Sequence, residues 1–193
     1  MKQIGITGGI GSGKTTVANF FKAYQIPVYI ADDEAKKLMH QSPIKEELIE
    51  LFGNKAYDSS GNLNRSFIAQ QVFDDKNRLE KLNAIVHPRV EEDYKNWVKK
   101  QTSPYVLYEA AILFETGRYQ SFDAVILVTA PLEERIKRLK KRDHSTEEEI
   151  KSRMKNQWSD EKKRKFATWE IINYDLNKTK HKVHKIHKLI SNL

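Results

Sequence analysis

Five short runs dominated by apolar residues punctuate the chain at residues 3–7, 27–30, 105–109, 124–129 and 170–173. Between them the apolar positions change period. After the first run, Val17, Phe20, Phe21 and Tyr24 recur at i, i+3, i+4 and i+7, the spacing that gives a helix one buried stripe. Strands alternating with such helices predict a parallel sheet covered on both faces, since each crossover needs a helix and each helix needs a face to bury.

Two stretches depart from simple alternation. Residues 33–100 hold no convincing strand. There, Ser42-Pro43 predicts the opening of a helix that Gly53 closes, with Ile44, Leu48, Leu51 and Phe52 turned inward. A further helix through Leu79, Leu82 and Val86 is expected to break at His87-Pro88, because proline has no N–H for the helical ladder. The stretch reads as a helical arm inserted after the second strand, at the sheet edge where a second substrate is commonly held. Between the fourth and fifth strands, Pro131 opens a helix through Leu132, Ile136 and Leu139 that is expected to end near Arg142-Asp143. Ser145 with Glu148 predicts a capping box for a second helix, which carries Arg153 and Gln157 one turn apart on one face. Residues 137–160 thus read as a small helical lid that excludes water from a phosphate site.

A length of 193 residues accommodates one α/β domain, 1–193, with the arm and lid as insertions. The absence of cysteine excludes disulfides, a thiol nucleophile and cysteine-based zinc sites. No run approaches the ~18 apolar residues of a membrane span, and the first strand starts too early for a signal peptide, so a soluble cytoplasmic protein is expected. The net charge of +8 admits nucleic acid or small polyanions as partners. Much of it lies in residues 137–142, 162–165 and 178–188. In the last of these Val183, Ile186, Leu189 and Ile190 form an apolar stripe, so its lysines read as the solvated face of a terminal helix and no specific nucleic acid is expected. His181, His184 and His187 have no accompanying carboxylate and predict no metal site.

The sharpest local signal follows the first strand. Gly8-Gly9-Ile10-Gly11-Ser12-Gly13-Lys14-Thr15 is a complete G-x-x-x-x-G-K-[ST] phosphate loop, with Thr16 in the helix start behind it. Its backbone N–H groups cradle a polyphosphate, Lys14 reaches the β- and γ-phosphates, and the Thr15 hydroxyl can ligate Mg²⁺. A guanine-specific GTPase is disfavoured, since Asn177-Lys178-Thr179-Lys180 ends on lysine where N-K-x-D needs a carboxylate. A small kinase remains, and its acceptor hydroxyl needs a carboxylate to orient it and take its proton. Asp32 and Asp33 lie just beyond the second strand; Asp33 is expected to cap a helix over 35–40, leaving Asp32 for the chemistry. Glu109, at the end of the third strand, is either a Walker-B-like Mg²⁺ partner or a strand-end ion pair. Arg142 and Arg153 either stabilise the transferring phosphoryl group or pair along their helices. Rival readings are another nucleoside or nucleotide kinase and a basic NTP-dependent nucleic-acid-binding module.

At this point the chain resembles the dephospho-coenzyme A kinase family of P-loop kinases, nearly end to end. The resemblance rests on residues 4–16, on Ala31-Asp32, on Leu82-Asn83-Ala84 with His87-Pro88, and on Ile112-Leu113-Phe114-Glu115. Arg142-Asp143, the Arg153 to Gln157 segment and residues 171–173 extend it. It implies a three-layer αβα P-loop fold with a five-stranded parallel sheet, Mg-ATP as donor and the ribose 3′-hydroxyl of dephospho-CoA as acceptor. It further implies Asp32 as the catalytic carboxylate, Lys14 as phosphate ligand, Arg142 as a lid cation and Asn173 as part of the adenine-binding loop. His87 and Glu115 would face the acceptor, and Thr15 with Glu109 would serve the metal. The chain departs from the family's usual pattern at Ile30, Glu109, Ala111 and Thr168, where aspartate, aspartate, proline and aspartate are frequent. Ile30 removes a possible second carboxylate and leaves Asp32 the stronger candidate.

Overall fold

The computed structural model describes residues 1–73, 75–143 and 145–192. It divides into two compact units, residues 1–30 with 101–193, and residues 31–100. The first unit starts with β1 (Lys2–Thr7), α1 (Lys14–Lys22) and β2 (Val28–Ile30). The second holds α2 (Ala31–Leu38), α3 (Ile44–Phe52), α4 (Arg65–Phe73) and α5 (Lys76–Lys99). The chain then returns to the first unit through β3 (Tyr105–Glu109), β4 (Ala124–Thr129), α6 (Leu132–Asp143), α7 (Glu147–Lys155), α8 (Asp160–Arg164), β5 (Trp169–Ile172) and α9 (Leu176–Ser191).

The five strands are parallel in the order β2-β3-β1-β4-β5. Every residue of β3 and β4 is buried, as strands covered on both faces require. Ile4, Ile6, Leu107, Ile126, Val128 and Ile171 of the sheet pack with Val17, Ala18 and Phe21 of α1 and with Val183, Ile186 and Ile190 of α9. Packing rather than the full stripe decides which apolar residues of these helices are used. Tyr24 lies past the end of α1 and is exposed, and Leu189 of α9 faces solvent, so neither belongs to the buried stripe expected of it.

In the helical unit Ile44, Leu48, Phe52, Ala56, Tyr57 and Ile68 form a core on which Leu82 and Ile85 pack. Gly53, at φ 81, closes α3 as expected. The break expected at His87-Pro88 does not occur: α5 runs through Pro88. A single proline removes one ladder bond and its φ suits a helix, while Val86, Val90 and Tyr94 keep a buried i, i+4, i+8 row across it. α2 also starts four residues before the helix expected at 35–40, directly from β2. Asp33 is therefore inside its first turn and pairs with Lys36 at 2.7 Å instead of capping it.

The capping box expected at Ser145 and Glu148 is displaced by one residue. Thr146 caps α7, with Glu149 reaching back to its N–H at 2.9 Å, while Ser145 accepts a hydrogen bond from Arg153. Since α7 ends at Lys155, Gln157 lies in the turn beyond it and does not share a helix face with Arg153.

Candidate active site

β1 ends at Thr7 in the centre of the sheet, and residues 8–13 turn at its carboxyl edge into the N-terminus of α1. Free N–H groups and the positive end of the helix dipole there favour an anion. Gly13 takes φ 86 at the head of α1, and a side chain at this position would collide with the Asn173 carboxamide. A side chain at Gly8 would meet the Val128 carbonyl, so the loop must hug β4. Ser12 N–H donates to Gly9 O at 3.1 Å, and Lys14 Nζ donates to Gly8 O at 3.1 Å.

Beside the loop, Ile6 of β1 stands in register with Glu109 of β3. This brings the Thr15 hydroxyl to 3.2 Å from Glu109 Oε2 and 3.5 Å from Oε1. Glu109 is buried and Thr15 exposed. Two hard oxygen donors side by side suit a small divalent cation that keeps several waters, so the residues present fit Mg²⁺.

Two residues of the loop's supporting shell, Arg138 and Arg135, went unrecognised in the sequence. Arg138 of α6 donates through its two terminal nitrogens to Ser12 O at 3.3 Å and to Asn173 O at 2.8 Å. Arg135 of the same helix donates Nε–H to Ile10 O at 2.9 Å and pairs with Asp160 at 3.2 Å. The signal available was a row of Arg135, Arg138 and Arg142 at i, i+3 and i+7, which places three guanidinium groups along one side of a helix leaving β4.

Asn173 is 2% exposed, and its Nδ2 donates to Ser12 O at 2.9 Å while its Oδ1 accepts from the Thr179 hydroxyl at 3.3 Å. Its carboxamide therefore holds the phosphate loop and α9, within the segment expected to form part of the adenine-binding loop. Glu115, expected to face the acceptor, makes its observed contacts with Trp158 and Lys163. Its Oε1 accepts from Trp158 N–H at 2.9 Å and lies 3.0 Å from the Nζ of the fully buried Lys163, an ion pair without hydrogen-bond geometry.

Arg142 is exposed at the end of α6 and pairs with Asp143 at 2.6 Å, and Arg153 reaches the same carboxylate at 3.1 Å. Arg142, with Arg153, holds the Asp143 carboxyl below its ordinary range. The bonds of these two arginines run to Asp143 and Ser145, whereas those of Arg135 and Arg138 reach the phosphate loop. In the helical unit Asp32 is exposed in the first turn of α2, and His87 is exposed on α5. Among the described residues no cluster of His, Cys, Asp and Glu forms a metal site, and no helix is long and apolar enough to cross a membrane.

The dephospho-CoA kinase family model matches residues 2–178. A dephospho-CoA kinase from Bacteroides fragilis is 40% identical over 173 residues, covering 89% of this chain and 84% of that one. The Fusobacterium nucleatum enzyme of the same name is 37% identical, covering 88% of each chain. A crystal structure from Thermus thermophilus superposes with a TM-score of 0.89 at 36% identity, covering 97% of this chain and 96% of the other. A shikimate kinase from Acinetobacter baumannii, at 16% identity and a TM-score of 0.53 over 98% and 93% of the two chains, shares the fold alone.

Proposed function

The chain belongs to the dephospho-CoA kinase family, and from that membership we propose how its residues carry out the reaction. The enzyme uses ATP to phosphorylate dephospho-CoA, the last step of coenzyme A synthesis. A ribose 3′-oxygen forms the new bond to the γ-phosphorus, the bond from that phosphorus to the departing ADP oxygen breaks, and the hydroxyl proton leaves to a base. The observation that carries this reading is the complete phosphate loop at the carboxyl end of β1, set beside the Thr15–Glu109 pair, in a chain matched over nearly its whole length.

In this reading residues 8–16 enclose the triphosphate, with Lys14 on the β- and γ-phosphates. Thr15 would ligate Mg²⁺ through its hydroxyl and Glu109 would hold it directly or through water; bound there, the ion supplies positive charge to the phosphate oxygens. Asp32 orients the acceptor and takes its proton. It follows the last residue of β2 by two positions, and that residue, Ile30, is in register with Glu109. Arg142 and Arg153 exchange Asp143 for the transferring phosphoryl group when nucleotide is present. The helices of residues 31–100, with exposed His87, take the acceptor, and residues 137–160 serve as the lid of one kinase domain. The absence of cysteine fits a reducing cytoplasm, where we place the enzyme.

Purified protein with Mg-ATP is expected to convert dephospho-CoA to CoA and ADP in preference to adenosine or AMP. Faster turnover of a plain nucleoside monophosphate would reassign it to another kinase specificity. Asp32→Asn keeps the shape and removes the base, so kcat falls by roughly 10²- to 10⁴-fold with ATP binding little changed. Asp33→Asn costs far less, since Asp33 is engaged with Lys36. Equal, mild effects of the two substitutions would remove Asp32 from this role.

A further inference from the structure

The two peptides flanking Ile10, at the crest of the phosphate loop, are held from outside the loop. Ile10 N–H donates to Gln157 Oε1 at 2.8 Å, and Ile10 O accepts from Arg135 Nε at 2.9 Å. Together these bonds restrain the orientation of both peptides flanking Ile10. In a trans peptide the C=O and the following N–H point in opposite directions. Holding Ile10 O toward Arg135 therefore aims Gly11 N–H away from it. Holding Ile10 N–H toward Gln157 turns Gly9 O the other way, where it accepts from Ser12 N–H at 3.1 Å.

Both holding side chains are themselves held. The Arg135 side chain is 11% exposed, and its NH1 meets Asp160 at 3.2 Å. Gln157 precedes Trp158, whose N–H is tied to Glu115 at 2.9 Å, and Glu115 is the partner of buried Lys163. Lys162 of α8 lies over the Trp158 ring, 3.4 Å from its centroid. The turn between α7 and α8 is thus pinned at Trp158, directly after the carboxamide that meets the loop.

We infer that Gln157 and Arg135 are positioning residues that set the direction of the Gly11 N–H in the phosphate loop, with Glu115 and Asp160 as their supports. This rests on the reading of the loop as the ATP site. It gives Glu115 a role in holding the turn after α7. It also links the turn after α7 to the donors that meet the triphosphate. A preset N–H stabilises charge developing in the transition state without reorganisation, so its loss falls on kcat more than on ATP binding.

The experiment compares Gln157→Met, which keeps the side-chain length and loses the acceptor, with Gln157→Glu, which keeps an acceptor oxygen. In steady-state kinetics Gln157→Met is expected to lower kcat about 10- to 50-fold, with the ATP KM within about threefold and Tm within about 3 °C. Gln157→Glu returns kcat to within about threefold of wild type. Amide hydrogen exchange at Ile10, measured without substrates, accelerates about tenfold or more in Gln157→Met and is restored in Gln157→Glu. Unchanged kcat and exchange in Gln157→Met, a loss confined to KM, or equal losses in both variants would overturn the inference. Should Gln157→Met not fold, Arg135→Lys probes the adjacent peptide by removing the Nε donor and keeping the charge; the same kcat loss is expected, and wild-type kcat overturns the inference. Wild-type protein inactive on dephospho-CoA would instead strike the proposed reaction, leaving the exchange measurement to decide the role of Gln157.

Discussion

Asn173→Ala tests whether the carboxamide beneath the phosphate loop is a structural tie. In the native protein this side chain is 2% exposed and donates to Ser12 O at 2.9 Å. Truncation removes the shorter of two bonds to Ser12 O, leaving Arg138 at 3.3 Å, a loss of about 0.5–1.5 kcal/mol. The small void left by the carboxamide adds about 1 kcal/mol. A total of about 1.5–2.5 kcal/mol corresponds to a Tm drop of roughly 3–10 °C for a chain of this size. Thermal unfolding by circular dichroism measures it directly. Asn173→Asp should be worse for function than alanine, because a carboxylate oxygen would face Ser12 O and add negative charge beside the triphosphate; its ATP KM should rise about tenfold or more. A Tm within about 2 °C of wild type for Asn173→Ala, accompanied by a changed preference between ATP and GTP, would refute this reasoning and return Asn173 to the adenine contacts.

Arg138→Ala is expected to lower Tm and raise the ATP KM, since Arg138 holds Ser12 O and Asn173 O; Arg142→Ala should leave Tm nearly unchanged and lower kcat about 10- to 100-fold, as thermal scans beside steady-state kinetics will show. His187 stacks on Tyr24 and meets the Tyr105 hydroxyl at 2.8 Å, and burial followed by the nearby His184 lowers its pKa below the ordinary value of 6.5. The unfolded chain therefore takes up this proton first, so the contribution of His187 is complete above pH 6.5 and declines as pH falls through its lower folded pKa; Tm measured from pH 7.5 to 5 should fall less steeply in His187→Gln. Replacing Lys182, Lys185 and Lys188, exposed on α9, by Gln should leave turnover within about twofold, and duplex DNA binding should stay weak and fade steeply with salt. Salt-resistant DNA binding that altered ATP turnover would revive a nucleic-acid role.

The parallel sheet and the phosphate loop were legible in the chain because both are local. A strand buried on both faces announces itself as an apolar run. Residues 8–15 carry their chemistry in consecutive letters, since a backbone anion cradle needs glycine at particular turns. The end of α3 at Gly53 was legible for the same reason. Tertiary packing decided the rest. Pro88 signals a break, yet the continuous row of Val86, Val90 and Tyr94 carries α5 across it, because packing along a long helix outweighs one missing hydrogen bond. Tyr24 and Leu189 fit their helical stripes by period and face solvent, since the sheet covers only part of each stripe. The supports of the loop are separated from it by more than a hundred residues: Arg135 from Ile10, Gln157 from Ile10 and Asn173 from Ser12. No spacing rule spans such distances. Only closure of the sheet, with β4 and β5 beside β1, brings these donors and acceptors to the same few peptides, and there the geometry of the fold assigns Asn173 and Glu115 to holding the loop and the turn after α7.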